Sequence, residues 1–396
     1  MDIVIVANFC GKLDGNENDR FLYLAELLAK NHAVELITSD FHHETKTHRS
    51  GTAEFPFQVT LLHESGYPKN ICLRRFASHR VWGRSVAAYL KTRKRPDVVY
   101  CAVPSLSAPA AAAEYCRRNG VPFVIDVQDL WPEAFRMAVD IPVVSDIAFA
   151  PFGWLANRIY RQADGIAAVS ESYCQRALRV NRKCREGKAV FLGTELAAFD
   201  ANAAANPVTD KPETELRLGY CGSLAASYDL NLVIEALKRL RERGVTPPKF
   251  LVMGDGARRN EFEQHAKEAG VDAVFTGRLP YAQMCGVLAA CDMVVNPITG
   301  KSAASIINKH GDYAASGLPV VNTQESAEYR ALVEAYGMGV NCPNGDPEAM
   351  ADALERLIRN ETLRREMGQN ARRCAEEKFD RAVSYRELVR LIESAG

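Results

Sequence analysis

The feature that most constrains this chain is a regular alternation of short β-branched runs with amphipathic stretches of helical period. In the first half the predicted strands are Ile3–Ala7, Ala33–Thr38, Gln58–Leu62, Asp97–Cys101, Phe123–Val127 and Gly165–Val169. In the second half they are Arg217–Cys221, Lys249–Met253, Ala273–Phe275, Met293–Asn296 and Pro319–Val321. Strands that alternate with helices predict parallel sheets covered on both faces, and two such series predict two Rossmann-like α/β domains.

The two series are separated by residues 195–215, which are rich in Ala, Asn and Pro and lack a periodic apolar face. We therefore predict an N-terminal domain over residues 1–195, an interdomain linker over 196–215 and a C-terminal domain over 216–378. Residues 379–396 are predicted to form one more amphipathic helix that returns to the N-terminal domain. Ligands of open α/β sheets bind beyond the carboxyl ends of the strands, so the loops there are the candidate sites.

Composition excludes several classes of protein. Lys and Arg total 49, as do Asp and Glu, so overall charge gives no reason to expect nucleic acid as a partner. Met1 is followed directly by a strand-like run, and no apolar stretch reaches the ~18 residues that span a bilayer. The 11 cysteines form no Cys-x-x-Cys pair. These features predict a cytoplasmic protein with buried thiols and no structural metal.

Three loops of the second half carry small residues at strand ends. They contain Gly222-Ser223, Gly254-Asp255-Gly256 followed by Arg258, and Gly277-Arg278-Leu279. Small residues let a phosphate approach backbone N–H groups, and a Gly-rich strand end can present backbone groups to a nucleobase. Each loop taken alone is equally typical of an ordinary turn between a strand and a helix.

The segment from Asn296 to Val321 is more informative. A strand is followed by a small-residue loop and by a helix predicted to begin near Ser305, whose free N–H groups form an anion site. Lys309 and Asp312 follow on adjacent helical faces, and a cation and a carboxylate at this spacing suit a diphosphate and a ribose. A surface helix with a Lys–Asp pair is the structural alternative.

These four motifs, in this order and spacing, resemble glycosyltransferase family 4, whose members have the GT-B fold. The resemblance implies two Rossmann-like domains that face a cleft, retention of anomeric configuration and a nucleotide-diphosphate sugar held mainly by the C-terminal domain. Carried over, the backbone N–H groups at Ser305, Ile306 and Ile307 would meet the diphosphate and Asp312 the ribose. The donor-binding residues so predicted are Gly222, Ser223, Arg258, Gly277, Arg278, Leu279, Ser305, Ile306, Ile307, Lys309 and Asp312.

The chain departs from the family pattern at its charged positions. The first Glu of the family's Glu-x7-Glu element falls at Ala304, and the Arg and Lys that many members carry correspond to Ser223 and Tyr228. Lys309, Lys301 and Arg258 are the available replacements. The motifs Ser227–Leu230 and Asn308–Tyr313 resemble the capsule, exopolysaccharide and O-antigen transferase branch. No Asp-x-Asp occurs in the sequence, which predicts a reaction without a metal or other cofactor.

Two loops of the first half are candidate acceptor sites. Gly11, Gly15 and Asn16, with Arg20 at the next helix start, are predicted to meet the acceptor or the donor phosphate, although a flexible loop would show the same composition. The segment Phe123–Glu133 ends in a cluster of carboxylates and a Trp. Asp129 and Glu133 are the predicted catalytic carboxylates, which would orient an acceptor hydroxyl or accept its proton. A helix-capping role is the alternative for Asp126 or Asp129.

Residues 65–96 contain nine basic side chains and no Asp or Glu, with apolar residues interleaved. This pattern predicts a basic amphipathic helix that contacts an anionic membrane surface or a lipid diphosphate, most strongly over residues 69–95. A core helix with a solvated basic face is the alternative. The histidines at 42, 43, 48 and 63 are close in sequence, but the pattern favours loops over a metal site.

Together these features predict a cytoplasmic enzyme, peripheral at the inner membrane face, that moves a sugar from a nucleotide-diphosphate sugar to a lipid-linked saccharide during surface polysaccharide synthesis. A UDP-sugar is the favoured donor. A nucleotide-sugar epimerase of the same fold and a binding module without turnover remain the alternatives, because Ala304, Ser223 and Tyr228 replace expected charged residues. Incubation with nucleotide sugars separates the three by product.

Overall fold

The computed structural model describes residues 1–11, 13, 19–70, 72–133, 144–300 and 306–396, with the backbone alone at 144–148. The chain forms two compact units. Unit 1 comprises Met1–Phe191 and Tyr385–Gly396, and unit 2 comprises Leu192–Ser384. Each unit is built on its own parallel sheet, as the two alternating series in the sequence predict.

Unit 1 contains a seven-stranded sheet in the order β5-β2-β1-β6-β7-β8-β9 and a two-stranded antiparallel hairpin, β3-β4. Its strands are β1 Asp2–Ala7, β2 Ala33–Ser39, β3 Phe41–His42, β4 Thr47–His48, β5 Gln58–Leu62, β6 Val98–Val103, β7 Phe123–Val127, β8 Gly165–Ala168 and β9 Lys188–Ala189. Its helices are α1 Arg20–Ala29, α2 Leu73–Thr92, α3 Ser107–Asn119, α4 Val144–Gln162, α5 Glu171–Leu178 and α15 Arg386–Ala395. Each strand predicted in the first half is present.

Unit 2 contains a six-stranded parallel sheet in the order β12-β11-β10-β13-β14-β15, which is the Rossmann order. Its strands are β10 Arg217–Cys221, β11 Lys249–Met253, β12 Ala273–Gly277, β13 Met293–Asn296, β14 Val320–Asn322 and β15 Gly339–Asn341. Its helices are α6 Leu196–Ala205, α7 Leu230–Glu242, α8 Arg259–Ala269, α9 Tyr281–Ala289, α10 Asn308–Ala315, α11 Ala327–Tyr336, α12 Pro347–Arg359, α13 Glu361–Cys374 and α14 Arg381–Ser384, with a π-helical turn at Ala375–Phe379.

The central strand β1 shows why the sheets need helices on both faces. Its residues alternate between two apolar clusters, so that Val4 and Val6 pack on one face of the sheet. Ile3 and Ile5 pack on the other. All four are at most 1% exposed. A strand buried on both sides reads as a continuous apolar run, and this is the pattern on which the strand predictions rest.

The first half of the region assigned to a linker is helical. Residues 196–205 form α6, which belongs to unit 2 and packs against α9. Alanine has the highest helix propensity, and Leu196 and Phe199, three residues apart, are enough to bury one side of this helix. The boundary between the units lies near residue 192, and residues 379–384 belong to unit 2.

The end of the chain packs within unit 1. Helix α15 contacts α1 and β8. Leu388 and Ile392 on this helix are fully buried, as is Tyr385, which directly precedes it. Among the described residues, no helix is both long enough and apolar enough to cross a bilayer.

Candidate functional site

The loops that follow β10, β11 and β12 in unit 2 are joined into one surface by backbone contacts. The N–H of Gly222 donates to the carbonyl of Met253 at 3.0 Å, and the N–H of Leu224 donates to the carbonyl of Asp255 at 3.0 Å. Gly254 and Gly277 form an isolated bridge between the next two loops. The strand ends thus form a continuous backbone surface where the fold places ligands.

Glycine is required at two positions of this surface. A Cβ atom on Gly254 would lie 1.8 Å from the carbonyl oxygen of Gly222, so a larger residue would separate the loops. Gly222 has φ of 144°, and a Cβ atom there would lie 2.7 Å from Nζ of Lys309. The small residues in these loops therefore also serve loop-to-loop packing, in addition to the ligand approach predicted from the sequence.

A cavity of about 220 Å³ opens on this surface. Its lining is Cys221, Gly222, Ser223, Met253, Gly254, Asp255, Arg278, Leu279 and Met284. Four of the predicted donor residues thus line one cavity: Gly222, Ser223, Arg278 and Leu279. Gly277, which was also predicted, directly precedes Arg278 in the chain. Met284 on α9 was missed, because nothing in its local sequence distinguishes it from a core methionine.

Lys309 lies beside this surface with its ammonium group buried. The residue is 7% exposed, and its Nζ makes no hydrogen bond with any described residue. Nζ lies 4.2 Å from the ring centroid of Tyr220 and 3.9 Å from that of Tyr228. Burial lowers the pKa of Lys309 to about 7. Unpaired cations are costly to bury, so this amine is available to an anion that reaches the Gly222 loop.

Three side chains fix α10 and the Gly222 loop. The hydroxyl of Tyr313 accepts the N–H of Cys221 at 3.0 Å, and the hydroxyl of Tyr220 donates to the carbonyl of Ser223 at 2.7 Å. The ring of His310 stacks on Tyr329 with centroids 3.6 Å apart. Sequence analysis gave none of these three side chains a role. The partner of Tyr313 lies 92 positions away, whereas that of Tyr220 is three positions away.

The start of α10 differs from the prediction. The helix begins at Asn308, not near Ser305, and Ile307 precedes it in an extended conformation. The N–H of Ile307 donates to Nδ1 of His310 at 3.2 Å, so it is engaged and not free for a diphosphate. Ile306 is buried, and Ser305 lies outside the described residues. The predicted cradle of three N–H groups is therefore wrong at Ile307.

Asp312 and Arg258 do not line the cavity. Asp312 is 9% exposed and accepts a hydrogen bond from the hydroxyl of Tyr281 at 2.9 Å. Burial raises the pKa of this carboxyl to about 6. Arg258 forms an ion pair with Glu261, with 2.8 Å between Nε and Oε2. The structure therefore gives both residues partners within unit 2 that the sequence did not reveal.

The predicted catalytic carboxylates of unit 1 have different surroundings. Asp129 accepts hydrogen bonds from the N–H of Leu130 at 2.9 Å and from Nε1 of Trp131 at 3.2 Å. Burial raises its pKa, which suits a group that takes up a proton. Glu133 instead pairs with Arg176, with 2.6 Å between the charged atoms. Asp129 is the better placed of the two for proton transfer.

Arg20 has a structural role and not the predicted contact with an acceptor. It is 4% exposed, and its guanidinium donates to both carboxylate oxygens of Asp126, at 2.7 and 3.2 Å. Its Nη1 donates to the carbonyls of Val190 and Phe191 and lies 3.2 Å from the hydroxyl of Tyr385. Gly11 donates its N–H to Asp19 at 3.0 Å. Gly15 and Asn16 lie outside the described residues.

The histidines of unit 1 are partly brought together. Asp40, His48 and His63 place one ligand atom each within 4.8 Å of the others, and both histidines are exposed. Nδ1 of His63 lies 3.0 Å from the Asp40 carboxylate, so hydrogen bonds within the group account for the arrangement. His42 and His43 have other neighbours.

The basic stretch over residues 69–95 contains α2 (Leu73–Thr92), which buries Trp82, Val86 and Leu90 in the core of unit 1. The core-helix alternative is therefore correct for that face. On the outer face Arg74, Arg80 and Arg84 are exposed, and Leu73 is 86% exposed. Trp154 on α4 is also exposed, at 61%.

Comparison with known families agrees with this division into two units. Residues 18–193 match the family described as "Glycosyl transferase 4-like domain". Residues 215–360 match "Glycosyl transferases group 1". The two matches together cover well over half of the chain. The second lies within unit 2, and the first lies in unit 1 except for its last two residues.

Individual relatives are distant. The chain is 24% identical over 246 residues to "Probable glycosyltransferase WbjE" of Pseudomonas aeruginosa, a match that spans 60% of each chain. It is 23% identical over 244 residues to "Capsular polysaccharide biosynthesis glycosyltransferase CapM" of Staphylococcus aureus, spanning 57% of this chain and 60% of that protein. The chain thus matches about three fifths of the length of these relatives.

Among solved structures, HepE of Anabaena in complex with UDP is similar over 100% of both chains, with a TM-score of 0.68 and 18% identity. The same protein has been solved with UDP-glucose, and that structure is similar with a TM-score of 0.66. The likeness confirms the GT-B fold predicted from the sequence.

Proposed function

Because the chain belongs to the glycosyltransferase family defined by these two domains, we propose that it transfers a sugar from a nucleotide-diphosphate sugar to a saccharide in polysaccharide biosynthesis. The observation that carries this proposal is the cavity of unit 2 with Lys309 beside it, whose ammonium group has no hydrogen-bond partner among the described residues. The place of the cavity at the carboxyl ends of β10, β11 and β12 supports a nucleotide ligand.

For the donor we propose a UDP-sugar. HepE, which shares the fold, binds UDP and UDP-glucose. The loop of Gly277, Arg278 and Leu279 offers backbone groups at the edge of the cavity for a planar base. Met253 and Met284 supply an apolar lining, which suits the face of a ring.

The chemistry that we propose needs the leaving diphosphate to be stabilised as its charge develops. Lys309 supplies a cation fixed by two aromatic rings, so little reorganisation is needed when the anion forms. Asp129 is the candidate group for orienting the acceptor hydroxyl. Retention of configuration and independence of metal belong to this proposal and follow from the resemblance.

We also propose that the acceptor is lipid-linked and that unit 1 associates with an anionic membrane surface. The support is the outer face of α2, where exposed arginines flank the exposed Leu73. Trp154 adds an exposed aromatic ring in the same unit. Apolar insertion combined with basic residues is the pattern of helices that lie on membranes.

The test begins with thermal shift in the presence of UDP, GDP and ADP, because a ligand of the native state raises apparent stability. Products are then analysed after incubation with UDP-sugars, with and without saccharide acceptors. Acceptor-dependent release of UDP supports transfer, and a changed free sugar nucleotide would show an epimerase. UDP binding without turnover would show a binding module. A chain that binds none of the three nucleotides would refute the proposal.

A further inference from the structure

Unit 1 contains a basic aromatic group of side chains that the proposed function has not used. We name it the Arg75 cluster, and its members are Phe9, Lys46, Tyr67, Arg75, His79 and Trp131. Phe9, Tyr67 and Trp131 lie in the loops that follow β1, β5 and β7, and Lys46 lies in the turn of the β3-β4 hairpin. Arg75 and His79 lie in the first two turns of α2. The charge of Arg75 acts on the candidate base Asp129, so the group is near it.

Arg75 is held by aromatic rings instead of by a carboxylate. The central carbon of its guanidinium lies 5.0 Å from the ring centroid of Trp131, 5.6 Å from that of Tyr67 and 5.7 Å from that of Phe9. Its Nη1 donates to the carbonyl of Asn70, and its Nε is buried without a hydrogen-bond partner among the described residues. It forms no ion pair within that part of the chain, and the carboxylate on which its charge acts is the candidate base Asp129, whose pKa it lowers against the effect of burial.

Lys46 brings a second cation to the same rings. Its Nζ lies 4.8 Å from the ring centroid of Tyr67 and donates to the side chain of Asn70. Burial and the charge of Arg75 lower the pKa of Lys46, which is the expected result of placing two cations close together. Lys46 likewise has no carboxylate partner in the described ranges.

His79 supplies an independent sign of a missing ligand. The residue is 2% exposed, and its ring stacks on Trp131 with centroids 5.5 Å apart. Neither ring nitrogen makes a hydrogen bond with a described residue. The nearest carboxylate, Glu64, is 4.0 Å away and already accepts from Asn8, Ser39 and Ser78. Native proteins rarely leave both nitrogens of a buried imidazole unsatisfied.

We propose that the Arg75 cluster binds a phosphate or diphosphate group of the acceptor, which makes the acceptor a phosphorylated saccharide. This inference rests on the proposed transfer function. A guanidinium fork, an ammonium group and an imidazole N–H present donors to several oxygens at once, as a phosphate requires. The aromatic rings offer faces on which an attached sugar or isoprenoid can pack. Asp129 bonds to Trp131, so the candidate base belongs to the same group.

The experiment measures binding by calorimetry with the donor site saturated with UDP. The probes are glucose 1-phosphate and farnesyl phosphate, with methyl glucoside and farnesol as their uncharged counterparts. Tighter binding of farnesyl phosphate assigns a lipid-linked acceptor, and tighter binding of glucose 1-phosphate assigns a soluble sugar phosphate. Either result supports the site.

The variant is Arg75→Gln, and its matched control is Arg182→Gln, the same change at an exposed arginine of unit 1 that lies outside α2 and its proposed membrane surface. We expect Arg75→Gln to weaken binding of the preferred probe about tenfold, as for loss of a charge-assisted hydrogen bond, and Arg182→Gln to leave it unchanged. If Arg75→Gln does not fold, Lys46→Gln is expected to weaken the same probe. Equal affinity of both arginine variants, or wild-type affinity no higher than for the uncharged counterparts, overturns the inference.

UDP affinity is measured in the same variants, and we expect it to be unchanged. Failure of the wild-type protein to bind UDP would overturn the proposed transfer function while phosphate binding at the Arg75 cluster is still measured. Normal UDP binding with no difference between phosphorylated and uncharged probes would overturn this inference alone.

Discussion

Binding of a nucleotide-diphosphate sugar should be accompanied by uptake of a proton by Lys309. In the free protein the pKa of this amine is lowered to about 7 by burial. The groups that face it stay neutral near pH 8, because burial raises the pKa of Cys221 to about 12 and also raises those of Tyr220 and Tyr228. Lys309 is therefore the group in this region that changes charge when a diphosphate arrives.

The size of the effect follows from the pKa. At pH 8 a group of pKa near 7 is about one-tenth protonated, and an ammonium paired with a diphosphate returns toward its ordinary pKa of about 10.4. Binding at pH 8 should take up about 0.9 proton, and binding at pH 6 about 0.1. Since protonation and binding are linked, affinity should fall about fivefold between pH 7 and pH 8.

Isothermal titration with UDP-glucose in two buffers of different ionisation enthalpy measures this number directly. UDP-glucose is chosen because its diphosphate, esterified at both ends, carries no secondary phosphate proton of its own. Asp312, with a pKa of about 6, is ionised at pH 8 and should contribute little. Lys309→Met is the control variant, and it should bind more weakly with no proton uptake. Measurable binding without uptake at pH 8, or equal uptake by the variant, would refute the assignment.

Three further predictions concern other parts of the chain. Burial raises the pKa of Asp312 to about 6, so between about pH 4 and 6 the native state holds more protons than the unfolded chain and stability falls as pH rises. Asp312→Asn should therefore raise the free energy of unfolding by up to about 2–3 kcal/mol at pH 7.5, which is measured as a higher melting temperature. At pH 4 the substitution should bring no gain. Arg20→Met leaves Asp126 buried without its partner and should cost about 3–5 kcal/mol in urea unfolding, whereas an unchanged midpoint would contradict the structural role of the pair. Vesicle flotation tests the membrane proposal, since neutralising the exposed arginines of α2 should release the protein from anionic vesicles at low salt, and equal partitioning would remove it; the positions are Arg74, Arg80 and Arg84.

The periodic pattern of apolar residues was enough to predict the fold. The apolar runs at β1 and β10 are buried on both faces, so their composition alone indicates parallel strands covered by helices. The glycines at 222, 254 and 277 mark the strand ends for a local reason, since the chain must turn sharply there. The same local reasoning failed at α6, where two apolar residues three positions apart decide whether an Ala-rich segment packs as a helix.

Side-chain roles depended on partners that sequence spacing does not reveal. Arg20 follows a Gly-containing loop, which led to the prediction of a functional contact. Its guanidinium instead donates to the carboxylate of Asp126, 106 residues away. Ile307 shows a local form of the same problem. The ring of His310, three positions later, accepts its N–H, and this contact depends on α10 beginning at Asn308. Hydrogen-bond satisfaction is a property of three-dimensional neighbours, and a linear motif contains no record of it.

The sequence by itself determined the two parallel sheets, the family and the strand-end loops where a donor would bind, because each follows from local patterns of size and polarity. Only the tertiary structure decided which charges are free to meet a ligand. Among the described residues Lys309 has no hydrogen-bond partner and Arg75 no ion pair. The neighbours of Lys309 are the rings of Tyr220 and Tyr228, 89 and 81 positions earlier in the chain, and those of Arg75 include Trp131. Burial sets the energy of a charge, and burial is created by residues that are distant along the chain.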